Sequence, residues 1–135
     1  MMEFIFVYGT LRKQSTSTMN HVLAQHCRYV AEGYLQGKLY EVNAYPAAID
    51  SDNPNDKVYG EVYELTDSTL LLELDTYEEC TDQFPKPHEY LRKKRLITLF
   101  DGRSVTAWVY IFNHTVLNLI PIVSGDYFKC PTQYQ

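Results

Sequence analysis

The residue best placed to do chemistry is Glu78, because its spacing puts a carboxylate among apolar side chains. The pattern of residues 68–79 predicts a short amphipathic helix that carries a stripe of leucines. Glu78 lies four residues after Leu74 and seven after Leu71, so it falls in the middle of that stripe. The spacing therefore directs this acid at the core or at a pocket in it.

A carboxylate in such a position is suited to general-base catalysis. Burial penalises the charged form and raises the pKa of the group, which brings it towards the range where a base works near neutral pH. Two other interpretations stay open from spacing alone. Glu78 is either turned to solvent at the helix end or paired with a cation such as Arg92. Its neighbour Glu79 falls towards the helix flank.

Other residue types that commonly do chemistry give weaker patterns. The histidines form no i, i+4 pair and have no Cys-x-x-Cys motif near them, so we predict no metal site; they are His21, His26, His88 and His114. Cys80 is conceivable as a nucleophile, but an ordinary small thiol is the favoured interpretation.

A run of acids in residues 50–61 imitates a calcium-binding loop. The spaced acids are Asp50, Asp52, Asp56 and Glu61. The sixth loop position normally needs glycine, yet Asn55 stands there after Pro54, and the flanking segments favour strands over helices. We therefore predict neither a calcium ion nor any other cofactor.

The elements that must position these residues are mostly β-strands. Patterns rich in β-branched and aromatic residues predict strands over residues 3–8, 33–42, 45–49, 57–65, 89–100 and 104–112. The second and third strands are expected to pair antiparallel. The dipeptide Asp101-Gly102 between the last two strands predicts a tight hairpin. A second helix is predicted around residues 19–26, in addition to the one over residues 68–79. The predicted fold class is therefore α+β, and residues 1–135 are predicted to form one domain.

Composition excludes several functional classes. A net charge of −5 gives no basic excess for a nucleic acid partner. No segment approaches the roughly 20 apolar residues that span a bilayer, and no export signal is evident, so we expect no membrane association and a cytoplasmic location. The three cysteines lack paired spacing and are expected to be reduced thiols.

Several ordered motifs resemble the γ-glutamylcyclotransferase-like family. The segment Tyr8-Gly9-Thr10-Leu11 is similar to the family signature after the first strand, and residues 74–78 (LDTYE) are similar to its Leu-Asp-x-aromatic-Glu helix. The strand sequences GEVY at 60–63 and AWVY at 107–110, and SGDY at 124–127, match in the same order. The resemblance implies a compact mixed β-barrel-like sheet with two or so short flanking helices.

The resemblance also implies an activity and its residues. Family members convert γ-glutamyl amides to 5-oxoproline, and their catalytic glutamate maps onto Glu78, although the adjacent Glu79 leaves a one-residue ambiguity. The loop Tyr8-Gly9-Thr10-Leu11 would be the substrate cradle. Tyr90 resembles a pocket tyrosine of the family.

Three functions remain open on the sequence. They are a cyclotransferase acting on a small γ-glutamyl amide or γ-glutamylamine, a non-catalytic protein of the same fold that binds a small metabolite, and an acyl-transfer relative that removes a γ-glutamyl protecting group. The leaving amine is not indicated. The apolar tail residues Tyr127, Phe128 and Tyr134 either cap the barrel or meet a partner chain, and we expect a monomer.

Overall fold

The structure, a computed structural model, describes residues 3–8, 27–42, 45–66, 90–113, 115–117 and 119–126. These residues form a seven-stranded sheet. Its strands are β1 (Glu3–Val7), β2 (Cys27–Val42), β3 (Tyr45–Asp50), β4 (Lys57–Leu65), β5 (Tyr90–Leu99), β6 (Ser104–Phe112) and β7 (Ile120–Pro121). The sheet order is β3-β2-β4-β1-β6-β5, with β7 on β2.

The short strand β1 occupies the centre of the sheet. Its β-branched and aromatic residues suit a position with neighbours on both edges. It pairs antiparallel with β4, where Val7 lies opposite Glu61, and parallel with β6, where Ile5 lies opposite Trp108. The chain leaves β1 after Tyr8 from the middle of the sheet, next to β4 and β6.

The long strand β2 closes the sheet into a barrel. Gly33 to Leu35 pair with β4 on one edge and with β5 on the other, so the order β2-β4-β1-β6-β5 returns to β2. Beyond the barrel, β2 continues as a ribbon that pairs with β3 and β7. A register shift between Tyr29 and Ala31 marks a β-bulge at its start.

Alternation along the strands divides the buried residues into two clusters. The inner cluster, shared by all five barrel strands, is Phe6, Tyr8, Leu35, Leu39, Ala48, Val58, Val62, Ile97, Leu99, Ala107, Val109, Ile111 and Ile122. The outer cluster, on the opposite face, is Ile5, Val7, Ala47, Tyr63, Leu65, Tyr90, Tyr110 and Phe112. Burying each large apolar side chain contributes about 1.5–3 kcal/mol, so both faces stabilise the strands around β1.

The segment after β7 folds back across one end of the barrel. The N–H of Ile122 donates to the carbonyl of Leu39 at 2.7 Å, and the Ile122 side chain enters the inner cluster. The carbonyl of Gly125 accepts from the N–H of Tyr59 at 2.8 Å. Gly125 has φ +73°, and a Cβ there would collide with the carbonyl oxygen of Lys57. Glycine therefore lets this turn lie directly against β4.

The predicted strands and the β-barrel-like sheet are confirmed. All six predicted strands are present, and the hairpin between β5 and β6 turns at Gly102 with φ +93°. β2 begins at Cys27, six residues before the predicted strand, because this extra length pairs with β4 across the bulge. The two predicted helices lie outside the described residues. The described part of the chain contains no helix with the length and apolar character that a membrane span requires.

Candidate active site at the end of strand β1

Tyr8 follows the last residue of β1, where the predicted cradle begins. Its ring belongs to the inner cluster and is only 6% exposed. The hydroxyl donates to the backbone carbonyl of Tyr110 at 2.5 Å, which fastens the end of β1 to β6. Tyr8 is thus an anchor at the start of the predicted cradle. Gly9, Thr10 and Leu11, the rest of the predicted cradle, lie outside the described residues.

Tyr90, the predicted pocket tyrosine, is the first residue of β5. Its ring lies edge-on to Phe112, with centroids 5.6 Å apart, and its hydroxyl donates to the carbonyl of Pro46 at 2.7 Å. It belongs to the outer cluster, whereas Tyr8 belongs to the inner one. The two tyrosines therefore approach the same end of β6 from opposite faces of the sheet. Glu78 lies outside the described residues.

Glu61 is a carboxylate that the sequence reasoning did not assign to the site. Its side chain is fully buried, at 0% exposure. In the sheet it lies opposite Val7, one residue before Tyr8, and opposite Glu32 on the other side. Residues that face each other across two strands share a face, so Glu61 projects to the outer face beside the end of β1. The available signal was an acid between Gly60 and Val62 in a strand rich in apolar and aromatic residues.

Tyr63 supplies a hydrogen bond to this buried carboxylate. Its hydroxyl donates to Oε1 of Glu61 at 3.1 Å. Burial first, and then the negative charge of Glu61 and the hydrogen bond to it, raise the pKa of Tyr63 well above the ordinary range of a tyrosine. The hydroxyl accordingly stays protonated and remains a donor. Burying a carboxylate is costly unless donors replace its water, so the bond holds Glu61 in this position.

We expect Tyr63→Phe to lower the free energy of unfolding by about 1.5–3 kcal/mol, the range for a hydrogen bond to a charged group. The ring stays and only the donor to Glu61 is lost. Urea unfolding followed by circular dichroism measures the change. Tyr34→Phe, which removes a hydroxyl from a partly exposed ring on β2, is the control. Equal stability of the two variants would contradict this role of Tyr63.

The acids that imitate a calcium loop are used in other ways. Asp50 accepts two hydrogen bonds from Arg95, both at 2.8 Å, and Asp56 accepts one from Ser51 at 2.6 Å. Glu61 lies inside the sheet. Among the described residues, no group of three or more His, Cys, Asp or Glu side chains is placed to hold a metal ion.

The cysteine within the described ranges is not suited to nucleophilic chemistry. Cys27 is a free thiol that packs against the outer cluster, and burial raises its pKa to about 11. Because the thiolate is the reactive form, this thiol is unreactive near neutral pH. Cys80 and Cys130 lie outside the described residues.

Gly60 shapes the end of β1 by its lack of a side chain. A Cβ at this position would collide with the carbonyl oxygen of Val7 and would lie 2.7 Å from the ring of Phe6. Glycine thus lets β1 approach β4 closely just before the chain leaves the sheet. The end of β1 is held by this contact on one side and by the Tyr8 hydroxyl on the other. Such fixation can present backbone donors in one arrangement.

Comparison with known proteins identifies the family. The family model described as "Gamma-glutamyl cyclotransferase, AIG2-like" matches residues 5–129. A Vibrio cholerae relative, whose name carries gamma-glutamylcyclotransferase as a provisional assignment, is 34% identical over 129 residues, covering 94% of this chain and 96% of its own.

Two solved structures are also similar. Protein ytfP from Escherichia coli aligns with a TM-score of 0.64 and 30% identity, covering 93% of this chain and 96% of that one. YkqA from Bacillus subtilis aligns with a TM-score of 0.69 and 28% identity, covering 93% of this chain but 39% of the longer YkqA. The extent of these matches, together with the barrel, shows that the chain belongs to the gamma-glutamyl cyclotransferase, AIG2-like family.

Proposed function

We propose that the protein converts a γ-glutamyl amide or γ-glutamylamine to 5-oxoproline and a free amine. The observation that carries this proposal is the family match over residues 5–129, which includes both the segment Tyr8-Gly9-Thr10-Leu11 and Glu78. The curated relative with gamma-glutamylcyclotransferase in its name supports the same chemistry, although its own assignment is provisional.

The reaction is an intramolecular aminolysis. The α-amine of the γ-glutamyl group attacks the side-chain carbonyl carbon, a C–N bond closes the five-membered ring, and the original amide C–N bond breaks. The amine leaves with the two protons that the α-ammonium gives up. Because the nucleophile belongs to the substrate, the enzyme needs no nucleophile of its own and gains much of its rate by holding the reacting groups together.

Glu78 is the proposed general base and acid. Its carboxylate takes a proton from the α-ammonium, which frees the attacking lone pair, and returns that proton to the departing amine. The leucine stripe around Glu78 in the sequence supports this role, because an apolar environment raises the pKa of a carboxyl group towards the working pH.

The proposed cradle is the loop that starts at Tyr8. Backbone N–H groups of Gly9, Thr10 and Leu11 would bind the substrate carboxylate or the developing oxyanion, which glycine allows at close range. The fixed end of β1, with Tyr8 bonded to the carbonyl of Tyr110 and Gly60 packed on Val7, supports this role because it gives the loop a rigid origin. Tyr90 would border the pocket from the start of β5.

The experiment is to incubate the purified protein with γ-glutamyl dipeptides and γ-glutamyl amines and to follow 5-oxoproline by mass spectrometry. Formation of 5-oxoproline with one equivalent of amine is the expected result. Transfer of the γ-glutamyl group to an added acceptor amine would favour the acyl-transfer function. Binding of these compounds with no turnover would favour a non-catalytic pocket protein and would contradict the proposal.

A further inference from the structure

An aromatic surface covers the outer wall of the barrel where β2 runs between β4 and β5. Tyr34 of β2 lies opposite Tyr59 on one edge and opposite Thr98 on the other. Residues directly opposite each other in a sheet share a face. The adjacent pair, Leu35 and Ile97, belongs to the inner cluster, so Tyr34 and its two neighbours lie on the outer face.

β5 and its hairpin turn add two exposed apolar side chains to this face. Leu96 and Phe100 each lie two residues from Thr98, so alternation puts them on the outer face as well. Their exposed fractions are 64% and 59%. The Phe100 ring contacts Tyr59 edge-on with centroids 6.1 Å apart, and Tyr59 contacts Tyr34 at the same separation. We call this surface the outer-wall patch; its residues are Tyr34, Tyr59, Leu96, Thr98 and Phe100.

Two opposite charges border the outer-wall patch at different ends. Glu32 precedes Tyr34 by two residues on β2 and lies beside Phe100, whose N–H donates to the Glu32 carbonyl at 3.0 Å. Lys57 lies at the other end, opposite Gln36, and its ammonium is 4.8 Å from the centre of the Tyr34 ring. The patch is therefore negative at the end that holds Glu32 and positive at the end that holds Lys57.

Cations at the margins of the outer-wall patch are paired with acids of the same chain. The ammonium of Lys38 lies 4.0 Å from the carboxylate of Asp56, and the guanidinium of Arg103 lies 2.7 Å from that of Asp101. Exposed ion pairs of this kind stabilise little, but they add no net charge at either place. The two charges that border the patch therefore set its polarity.

The size of the outer-wall patch suits a contact with another protein surface. Strands lie about 4.8 Å apart and side chains on one face repeat about every 6.7 Å, so three strands and three rows cover roughly 300 Å². Apolar surfaces of a few hundred Å² on soluble proteins commonly mark interaction sites. Aromatic side chains in the centre with charged groups around them are also the usual composition of such sites.

A second copy of the chain matches the outer-wall patch under a two-fold axis that runs across the strands. This rotation reverses the strand direction and places each strand over its own counterpart. Phe100 of one copy then packs on Leu96 of the other, and the two Tyr34 rings meet at the centre. The end with Lys57 faces the end with Glu32 on both sides of the axis, so the apolar centre and the charges are complementary at once.

We propose that the outer-wall patch is the interface of a homodimer, in place of the monomer expected from the sequence. The small footprint puts this interface at the low end of specific contacts, so the dimer dissociates on dilution. The dimer is independent of the proposed function, because the patch needs no substrate, and each proposal stands or fails without the other.

The test is sedimentation velocity on the full-length protein between about 1 and 300 µM. The wild-type mass should rise from 15.8 kDa towards twice that value, with a Kd on the order of 10–100 µM, as for a small interface. Phe100→Ser removes one aromatic anchor and should raise the Kd at least about tenfold. Leu117→Ser is the matched control, because Leu117 is 87% exposed but lies outside the patch, and its Kd should equal that of the wild type.

A charge swap tests the orientation of the two copies. Lys57→Glu should raise the Kd about tenfold, because the new acid faces Glu32 of the other copy, and adding Glu32→Lys should restore the wild-type Kd. Circular dichroism checks that each variant is folded, and the charge variants decide the matter if Phe100→Ser is not. A wild type that stays monomeric throughout would overturn the proposal. So would a dimer that neither Phe100→Ser nor Lys57→Glu weakens, or one that Leu117→Ser weakens equally.

Discussion

Glu78→Gln is expected to lower the kcat for 5-oxoproline formation by at least about 100-fold, the scale of a general base. The substitution preserves the size and hydrogen-bonding shape of the side chain but removes its ability to take a proton from the α-ammonium. Because the substrate cradle is retained, KM should change much less than kcat. Steady-state assays on γ-glutamylalanine, with product quantified by mass spectrometry, give both constants.

Glu79→Gln is the matched control for this variant. It removes the same charge one residue further along the predicted helix, at a position that helical spacing assigns to the flank. We expect its kcat to stay within about threefold of the wild type, far from the loss of a general base. A large loss in Glu79→Gln with near-normal activity in Glu78→Gln would assign the base to Glu79 instead.

Gly60→Ala is expected to destabilise the fold by about 2–3 kcal/mol, near the upper range for overpacking. The added methyl group would collide with the carbonyl of Val7 and with the ring of Phe6, so β1 would have to move away from β4. Both neighbours lie at the end of β1. The variant should therefore also raise KM for γ-glutamyl substrates under conditions where it remains folded. Urea unfolding and steady-state assays measure the two effects.

The control for Gly60→Ala is Gly102→Ala in the β5–β6 hairpin. Gly102 has φ +93°, but an added methyl group would meet no atom within 4 Å, so the substitution strains the turn without displacing β1. We expect a loss of only about 1 kcal/mol there, as for a non-glycine residue in the left-handed region. If both variants lost equal stability and kept the same KM, the close approach of β1 to β4 would not matter to the site.

Local patterns in the sequence were sufficient to predict most strands. The hairpin follows from Asp101-Gly102, and β4 follows from its β-branched and aromatic residues. The closure of the barrel through β2 could not be predicted. It depends on Gly33–Leu35 pairing with β4 on one edge and with β5 on the other, and both strands come much later in the sequence. The close approach of β2 to β5 also explains why residue 33 is a glycine, since a Cβ there would lie 2.6 Å from the carbonyl oxygen of Thr98.

Residues of the candidate site could be predicted only where they belong to a recognisable sequence motif. The segment that begins at Tyr8 was predicted as a cradle from its motif, but the hydrogen bond from the Tyr8 hydroxyl to the carbonyl of Tyr110 joins residues 102 positions apart. In the sequence, Glu61 stood out only as part of a strand motif and of the run of acids that imitates a calcium-binding loop. Its complete burial arises from the neighbours that the sheet brings together, including Val7 on β1 and Tyr63 two residues along β4.

The most direct test of the central claim is whether the α-amine of the substrate is the nucleophile. Wild-type protein is assayed on γ-glutamylalanine and on the same compound acetylated at the α-amine, with 5-oxoproline, glutamate and N-acetylglutamate all quantified. Intramolecular aminolysis predicts 5-oxoproline from the free amine and no product from the acetylated compound. Release of glutamate from the first and N-acetylglutamate from the second would show hydrolysis by water and would contradict the account.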